Sequence, residues 1–399
     1  MLRADKILYK KIQLPFQVKK LILALGSQAK NRVCFARGNF AYLSPTHTDL
    51  IDPADYADFK KTVKRLLKKN PKTIAYDLHP EYQSTKYALS LPTTCYLLPT
   101  QHHHAHIASC MAENGLRNHK VIGVAFDGTG LGSDNRIWGA EFLICDYKDF
   151  KRRAHLKEIP LLGQERAILE PSRLALIWLY LIYKENFLNL DIDFVKGLDK
   201  TKWKFLKKMY LSGFNSPLAS SMGRLFDAAA SLILAKYNAN FEAELAIKLE
   251  KLAASYKLQA SGSLPVRPTG RLQTPNSKLP TSSYEFKIIK SDDQYILDPL
   301  PMFKQIVSDL KAKELQEAIA YRFHLTVAEM IRKISSILRK ESKINEVVLS
   351  GGVFQNKLLL SLALDLLYKQ DFKVVTHRVL SCNDSCISLG QAAIASYRG

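Results

Sequence analysis

Cysteine is scarce in this chain of 399 residues: six, at positions 34, 95, 110, 145, 382 and 386. None forms a C-x-x-C pair, so neither a disulfide framework nor a zinc ribbon organises the fold. The thiols read as the reduced cysteines of a cytoplasmic protein. Cys382 and Cys386 flank Asp384, but no second pair completes a zinc site around them. Long apolar runs are also missing. The longest, Leu174 to Tyr183, is far short of the ~20 residues a membrane helix needs. Met1 to Lys20 is basic without the apolar core of a signal peptide. No G-x-x-x-x-G-K-[ST] loop occurs, and the glycines do not fit a Rossmann dinucleotide turn, which disfavours both folds. Acidic residues are few: 37 Asp and Glu against 58 Lys and Arg, a formal charge of +21. That excess favours an anionic partner, whether nucleotide, nucleic acid, membrane surface or acidic protein, or is a solvated basic surface.

What is present centres on Gln101-His102-His103-His104-Ala105-His106. The run continues through Ile107 to Asn114 as a helix and stops at Gly115, a C-cap position. Residues i and i+4 share a helix face, so His102 and His106 present two imidazoles to one point. Such a pair suits a borderline metal ion; a solvated histidine face is the plainer alternative. Val121 to Phe126 reads as a buried strand ending at Asp127, a candidate third ligand. Gly128-Thr129-Gly130 follows, where backbone N–H groups can approach an anion, or where an ordinary hairpin turns.

Along the chain, Leu21–Leu25, Arg32–Ala36 and Phe40–Leu43 read as a strand meander, with Arg37-Gly38-Asn39 as a turn. Asp52-Pro53 opens a helix running to about Lys69. Thr73–Tyr76 is a strand ending in Asp77. A second run of strands starts at Val121 and is followed by helices over Pro171–Tyr183, Asp199–Leu211, Met222–Tyr237 and Phe241–Ser255. Ser261–Ser283, rich in Ser, Pro, Thr and Gly, reads as a flexible insertion. Lys313–Lys340 is a long helix with Ile319, Phe323, Val327, Met330, Ile334 and Leu338 on one side. Glu346–Leu349 is a buried strand feeding Ser350-Gly351-Gly352, and Ser385–Tyr397 is the last helix. The alternation of strands and helices gives an α/β class, and two α/β halves that each begin with a meander suggest a duplicated fold. Glycine before a helix start binds phosphate through free N–H groups, which marks Gly351-Gly352 and Gly223. Asp227, one turn beyond Gly223, can accept from ribose hydroxyls. A tight turn and a surface carboxylate are the plainer alternatives.

Together these motifs resemble the C-terminal carbamoyltransferase region of the HypF family of hydrogenase-maturation proteins. They also resemble the wider group of tRNA threonylcarbamoyl transferases and antibiotic O-carbamoyltransferases. The resemblance rests on Leu23 to Ser27, Ala75 to Tyr82, Gln101 to His106, Asp127 to Gly130, Glu170 to Arg173, Gly223 to Asp227, Ser350 to Asn356, Asn383-Asp384 and Leu389 to Gln391. It spans essentially the whole chain, and the histidine run and Gly352-Val353-Phe354-Gln355-Asn356 point to the hydrogenase branch. It implies two actin-like (Hsp70-like) lobes, 1–118 with 385–399 packing back on it and 119–384, with an insertion near 256–283. The resemblance places nucleotide and metal in the cleft between the lobes. It implies iron(II) or zinc on His102, His106, Asp127 and Asp384, with His102, His106 and Asp127 catalytic. It implies ATP or carbamoyl-adenylate (AMP) held by Gly128, Thr129, Gly223, Asp227, Gly351, Gly352 and Asn356. The implied reaction transfers a carbamoyl group from carbamoyl-adenylate to the C-terminal cysteine thiol of a HypE partner, during cyanide-ligand synthesis for [NiFe]-hydrogenase. A separate adenylate-forming module is expected to supply that intermediate, since the upstream modules of full-length relatives do not occur in this sequence. No membrane partner is expected, and nucleic acid is disfavoured. The alternatives are a tRNA threonylcarbamoyl transferase-like enzyme and an inactive nucleotide-binding scaffold for hydrogenase assembly. Three stretches depart from the family pattern. Asp384-Ser385-Cys386-Ile387 replaces Asp-Gly-Gly-Ile, Glu242-Ala243-Glu244 replaces Glu-Gly-Gln, and Gly163-Gln164-Glu165 replaces Gly-Gly-Asp.

Overall fold

The computed structural model describes residues 9–92, 94–260 and 282–398. Within these the chain forms two compact units. The first takes its residues from Met1–Arg153, Ile337–Gln355 and Asp371–Gly399, the second from Ala154–Ser336 and Asn356–Gln370.

The first unit is built on two sheets of matching plan. In one, the strand Lys10–Ala24 pairs antiparallel with Cys34–Leu43 and parallel with Thr73–Asp77, which pairs parallel with Tyr96–Thr100. In the other, Val121–Leu131 pairs antiparallel with Ile137–Cys145 and parallel with Glu346–Ser350, which pairs parallel with Lys373–Thr376. Parallel strands are covered on both faces, which is why their sequences read as short continuous apolar runs. The meander differs from its expected form. The first strand begins at Lys10, and Arg37-Gly38-Asn39 lies inside the strand Cys34–Leu43. Register shifts between Gln13 and Val18 and between Val18 and Ile22 absorb the irregularity. The extra residues lie on Lys10–Ala24, which bulges on either side of Val18, while Arg37-Gly38-Asn39 run straight through the strand opposite.

Two helices carry the interior of this unit. The histidine helix His102–Glu113 packs on strands of the second sheet, the C-terminal helix Ile387–Arg398 packs on strands of the first, and they pack on each other. Every residue of the histidine helix from His102 to Ala112 is buried, so the histidines are core groups and not a solvated face. The two helices approach so closely at Gly390 that a Cβ there would stand 1.8 Å from the Ala105 carbonyl oxygen. The helix opened by Pro53 follows its sequence signals: Asp52 caps the free N–H groups of Ala54 and Asp55.

The second unit is mainly helical. It contains Ser172–Tyr183, Lys200–Ser212, Met222–Leu234, Glu244–Ala260, Leu300–Lys311, Lys357–Tyr368 and the helix Gln316–Ser342 as far as Ser336. Ile319, Phe323, Val327, Met330 and Ile334 of that long helix are buried, as its period requires. The hairpin Lys287–Ser291 with Gln294–Asp298 pairs in parallel with residues 154–156. Of the insertion expected near 256–283, residues 256–260 belong to the helix Glu244–Ala260, and 261–281 lie outside the described residues. Gln164 and Ala243, at two of the departures from the family pattern, keep left-handed backbone, with φ of 52° and 64°. The glycine conformation thus persists at both positions without glycine, at roughly 1–2 kcal/mol each.

Gly390→Ala tests the helix crossing. The added methyl forces two backbones apart in a close-packed core, and about 1–3 kcal/mol of stability is expected to go. Urea unfolding at constant m-value measures it.

Candidate metal centre

The second sheet supplies the first carboxylate through an irregular stretch of its inner strand Val121–Leu131. Pairing runs from Phe126↔Ala140 directly to Gly130↔Trp138. Four steps on one strand thus face two on the other, and Asp127, Gly128 and Thr129 bulge out of the ladder. Bulges of this kind re-aim side chains next to functional sites. Asp127 Oδ1 accepts from the Gly352 N–H at 3.1 Å, which leaves Oδ2 facing the histidine helix. Gly351, at φ 106°, lies where a Cβ would stand 2.2 Å from the Phe126 oxygen. Only glycine brings this turn so close to the aspartate strand.

The geometry around Asp127 Oδ2 is symmetrical. His102 Nε2 and His106 Nε2 each lie 3.3 Å from it, and 3.8 and 3.7 Å from Asp384 Oδ1. One ligand atom from each of the four residues fits within a mutual 4.8 Å. Four ligands placed ~2.1 Å from a tetrahedral centre stand about 3.4 Å apart. Both Nε2 atoms are buried, with no hydrogen-bond partner among the described residues. Unsatisfied buried nitrogens are costly and rare. On the far side, His102 Nδ1 lies 2.7 Å from the fully buried Asp77 Oδ2. A carboxylate there holds the Nδ1–H and leaves the Nε2 lone pair pointing at the cluster, as in carboxylate–histidine–metal triads. This donor set of two imidazoles and two carboxylates fits iron(II) or zinc.

The charges agree. Burial works against the His102 imidazolium, but Asp77, Asp384 and Asp127 outweigh it and hold its pKa well above the usual range. His106 is likewise raised against burial by Cys386, Asp127 and Asp384. Burial would raise Asp127, but the two imidazoles beside it take it well below the usual carboxylate range. Asp384 is brought to about 2, against burial, chiefly by His102. The site therefore demands two positive charges at the Nε2 atoms, which two protons or one divalent cation supply. The other two histidines stay neutral: burial pushes His103 down to about 3 and His104 to about 4.

A further group stands behind His106. Its Nδ1 lies 3.4 Å from Ser350 Oγ and 3.4 Å from Cys386 Sγ. Burial alone would raise the Cys386 thiol, but His106 and His377 bring it down to about 6. His377 is pushed up to about 9, against burial, chiefly by the same sulfur.

The remaining candidates fall elsewhere. Gly223, Asp227 and Asn356 belong to the second unit, Gly351 and Gly352 to the first. The Gly352 N–H is already committed to Asp127. The Asn356 amide caps its helix by accepting from the Leu359 N–H at 2.8 Å and faces His324 Nε2 at 3.0 Å. Gly128 and Thr129 are half-buried beside Asp127. Asp227 is buried, with Arg224 Nε 2.9 Å from its Oδ2. That approach is off line for a hydrogen bond, and Arg224 Nη1, Arg224 Nε and Asp227 Oδ2 have no such partner among the described residues. Burial therefore dominates, and Asp227 rises to about 6. Sequence reasoning gave no role to Asp77, Glu113, His377 or Arg224. Asp77 carried a signal, a carboxylate at the end of a parallel strand.

Similarity to known proteins is specific. Residues 123–391 match the family model described as carbamoyltransferase, Kae1-like domain, second subdomain, and 17–113 match the HypF Kae1-like domain. Carbamoyltransferase HypF of Synechocystis sp. is 33% identical over 398 residues, covering 95% of this chain and 48% of that protein. A carbamoyltransferase HypF homolog of Cupriavidus necator is 32% identical, covering 94% of this chain and 91% of that protein. A crystal structure of full-length HypF in the phosphate- and nucleotide-bound form shares 38% identity at a TM-score of 0.84. It covers 97% of this chain and 47% of that one. The T. kodakarensis HypF structure has a TM-score of 0.82 at 27% identity, over 98% of this chain and 49% of that one. The chain thus spans about half the length of most curated relatives it matches. No helix among the described residues is long and apolar enough to cross a membrane.

Two measurements probe these sites. Calorimetric titration with zinc or iron(II) is expected to give one tight site that His102→Ala removes and Asp77→Asn weakens by about 10–100-fold. Asp227, with its native pKa raised from 3.8 to about 6, gives a pH signature. Native protein binds the extra proton between those values, so the group's contribution to stability falls as pH rises through the window. Relative to Asp227→Asn, the wild type is expected to lose about 2 kcal/mol between pH 4 and pH 7. Urea unfolding at several pH values reads the difference.

Proposed function

We propose, on the premise that this chain belongs to the HypF carbamoyltransferase family, that it is the metal-dependent carbamoyl-transfer domain of hydrogenase maturation. The observation that carries the reading is the convergence of His102, His106, Asp127 and Asp384 on one buried point. The substrate is carbamoyl-adenylate, a mixed anhydride, and the acceptor is the C-terminal cysteine thiol of a HypE-like partner. The thiolate attacks the carbamoyl carbon. A C–S bond forms, the C–O bond to phosphate breaks, and AMP leaves with the electron pair. Iron(II) or zinc, when bound, supplies Lewis-acid stabilisation of the phosphate charge.

The chain's own residues have distinct tasks in this reading. His102, His106, Asp127 and Asp384 hold the ion. Backbone N–H groups near Gly128 and Thr129 face the leaving phosphate, a preorganised anion site. The buried Asp227 and Arg224, with unused hydrogen-bonding atoms, take the nucleoside. Gly223, Gly351, Gly352 and Asn356 are the further residues that this reading assigns to the nucleotide. The nucleotide-bound form of the full-length relative supports an ATP-type ligand. The division into lobes at 118/119 has support from the two family matches, which meet between 113 and 123. The hydrogenase branch is favoured over the tRNA branch because both the family models and the curated relatives carry carbamoyltransferase or HypF descriptions.

The test supplies labelled carbamoyl phosphate, ATP and the thiol partner. Little transfer is expected from this chain alone, and transfer is expected once a separate adenylate-forming module is added. His102→Ala and His106→Ala, if folded, should lower it by about 100-fold or more. Undiminished transfer by those variants would falsify the metal-dependent mechanism.

A further inference from the structure

Both histidines of the cluster need a fixed tautomer to bind an ion through Nε2, and only one of them has a carboxylate behind it. Asp77 Oδ2 stands 2.7 Å from His102 Nδ1. Among the described residues no carboxylate stands in the equivalent place behind His106. Instead its Nδ1 has two atoms at hydrogen-bonding range, Ser350 Oγ and Cys386 Sγ, each 3.4 Å away. Ser350 is in turn held: His377 Nε2 lies 2.8 Å from its hydroxyl. His377 Nδ1 lies 3.2 Å from Glu113 Oε2. Glu113 is fixed as well, because its carboxylate accepts the backbone N–H groups of Arg378, Val379 and Leu380. Ser350, Cys386 and Glu113 have side chains out of solvent, and His377 is almost so. The arrangement is rigid and dry.

The direction of each hydrogen bond follows from the end of the chain. The Glu113 carboxylate stands beside His377 Nδ1, off line for a hydrogen bond, and its charge favours the neutral tautomer with the proton on Nδ1, which offers Nε2 as an acceptor. The Ser350 O–H then donates to His377, and Ser350 Oγ has a lone pair left for His106. Cys386 Sγ, at the same 3.4 Å, offers a second acceptor for the His106 Nδ1–H. Either way an acceptor stands at Nδ1, and the His106 Nε2 lone pair points at Asp127 and Asp384.

We infer that Ser350 and Cys386, backed by His377 and Glu113, are positioning residues that lock the metal-binding tautomer of His106. They do for it by a relay across two strands what Asp77 does for His102 directly. The inference rests on the metal reading of the cluster but not on carbamoyl transfer. It gives Cys386, at a position where the family pattern has glycine, a task in the site without making it a ligand.

The test uses the full chain, labelled with 15N at histidine and loaded with zinc alone. Among the downfield, slowly exchanging Nδ1–H resonances, one each is expected from His102 and His106, assigned by their loss in His102→Ala and His106→Ala. In Ser350→Ala/Cys386→Ala the His106 resonance should move upfield and exchange faster, while that of His102 stays as an internal control. Zinc affinity by chelator competition should fall about 10–100-fold, and Cys386→Ser with Ser350 intact should restore most of it. If the double variant does not fold, His377→Ala is read by the same two signals. A folded variant with unchanged resonance and affinity overturns the inference. So does a wild type that binds zinc no better than His106→Ala. No carbamoyl substrate is present, so failure of the transfer reading leaves this result standing.

Discussion

Two buried imidazole nitrogens without hydrogen-bond partners among the described residues, facing the carboxylates of Asp127 and Asp384, are the constraint to which the first unit is fitted. Water does not reach the Nε2 atoms of His102 and His106, and no protein donor or acceptor of ordinary geometry does either. Leaving such groups unsatisfied costs about 1–3 kcal/mol each, more when charge is involved. Asp77, Asp127 and Asp384 add three negative groups to the same space. A divalent ion on two neutral imidazoles resolves the hydrogen-bond deficit and the charge imbalance together.

The fold around the cluster follows from that requirement. A helix with eleven consecutive buried residues is uncommon for a globular protein and fits only between layers. Gly390 allows the C-terminal helix to lie on it, and that helix begins just after Asp384. The bulge in the aspartate strand turns Asp127 toward the histidines, and the Gly351-Gly352 turn both reaches the strand and donates to Asp127. Ligands thus come from three distant stretches of sequence, each fixed by its own backbone device. Nothing in the cluster depends on a flexible side chain.

How much of this could be read in the sequence differs by link. The imidazole pair was legible because helical spacing alone sets it, and Asp127 because a strand terminus before glycines advertises a carboxylate. Asp384 was reached only through family resemblance, since no local period ties residue 384 to residue 102. The relay behind His106 was out of reach. Glu113 and His377 are 264 positions apart in the chain, and their meeting is a product of tertiary packing. Arg37-Gly38-Asn39 was misread as a turn because its local chemistry suits one, whereas the long bulged partner Lys10–Ala24 carries the strand straight through it. Burial of all four histidines was equally invisible, since composition cannot separate a core helix from a solvated one. The Asp227 and Arg224 pair shows the opposite case, where the carboxylate was found but its buried guanidinium partner was not.

X-ray absorption at the metal edge, on protein loaded with one equivalent of zinc or iron(II), tests the central claim most directly. The expected first shell holds two imidazole nitrogens and carboxylate oxygens at about 2.0–2.2 Å, with the multiple-scattering pattern of the rings. A sulfur scatterer at about 2.3 Å would place Cys386 in the coordination sphere. That result, or a spectrum without imidazole scattering, would contradict the account.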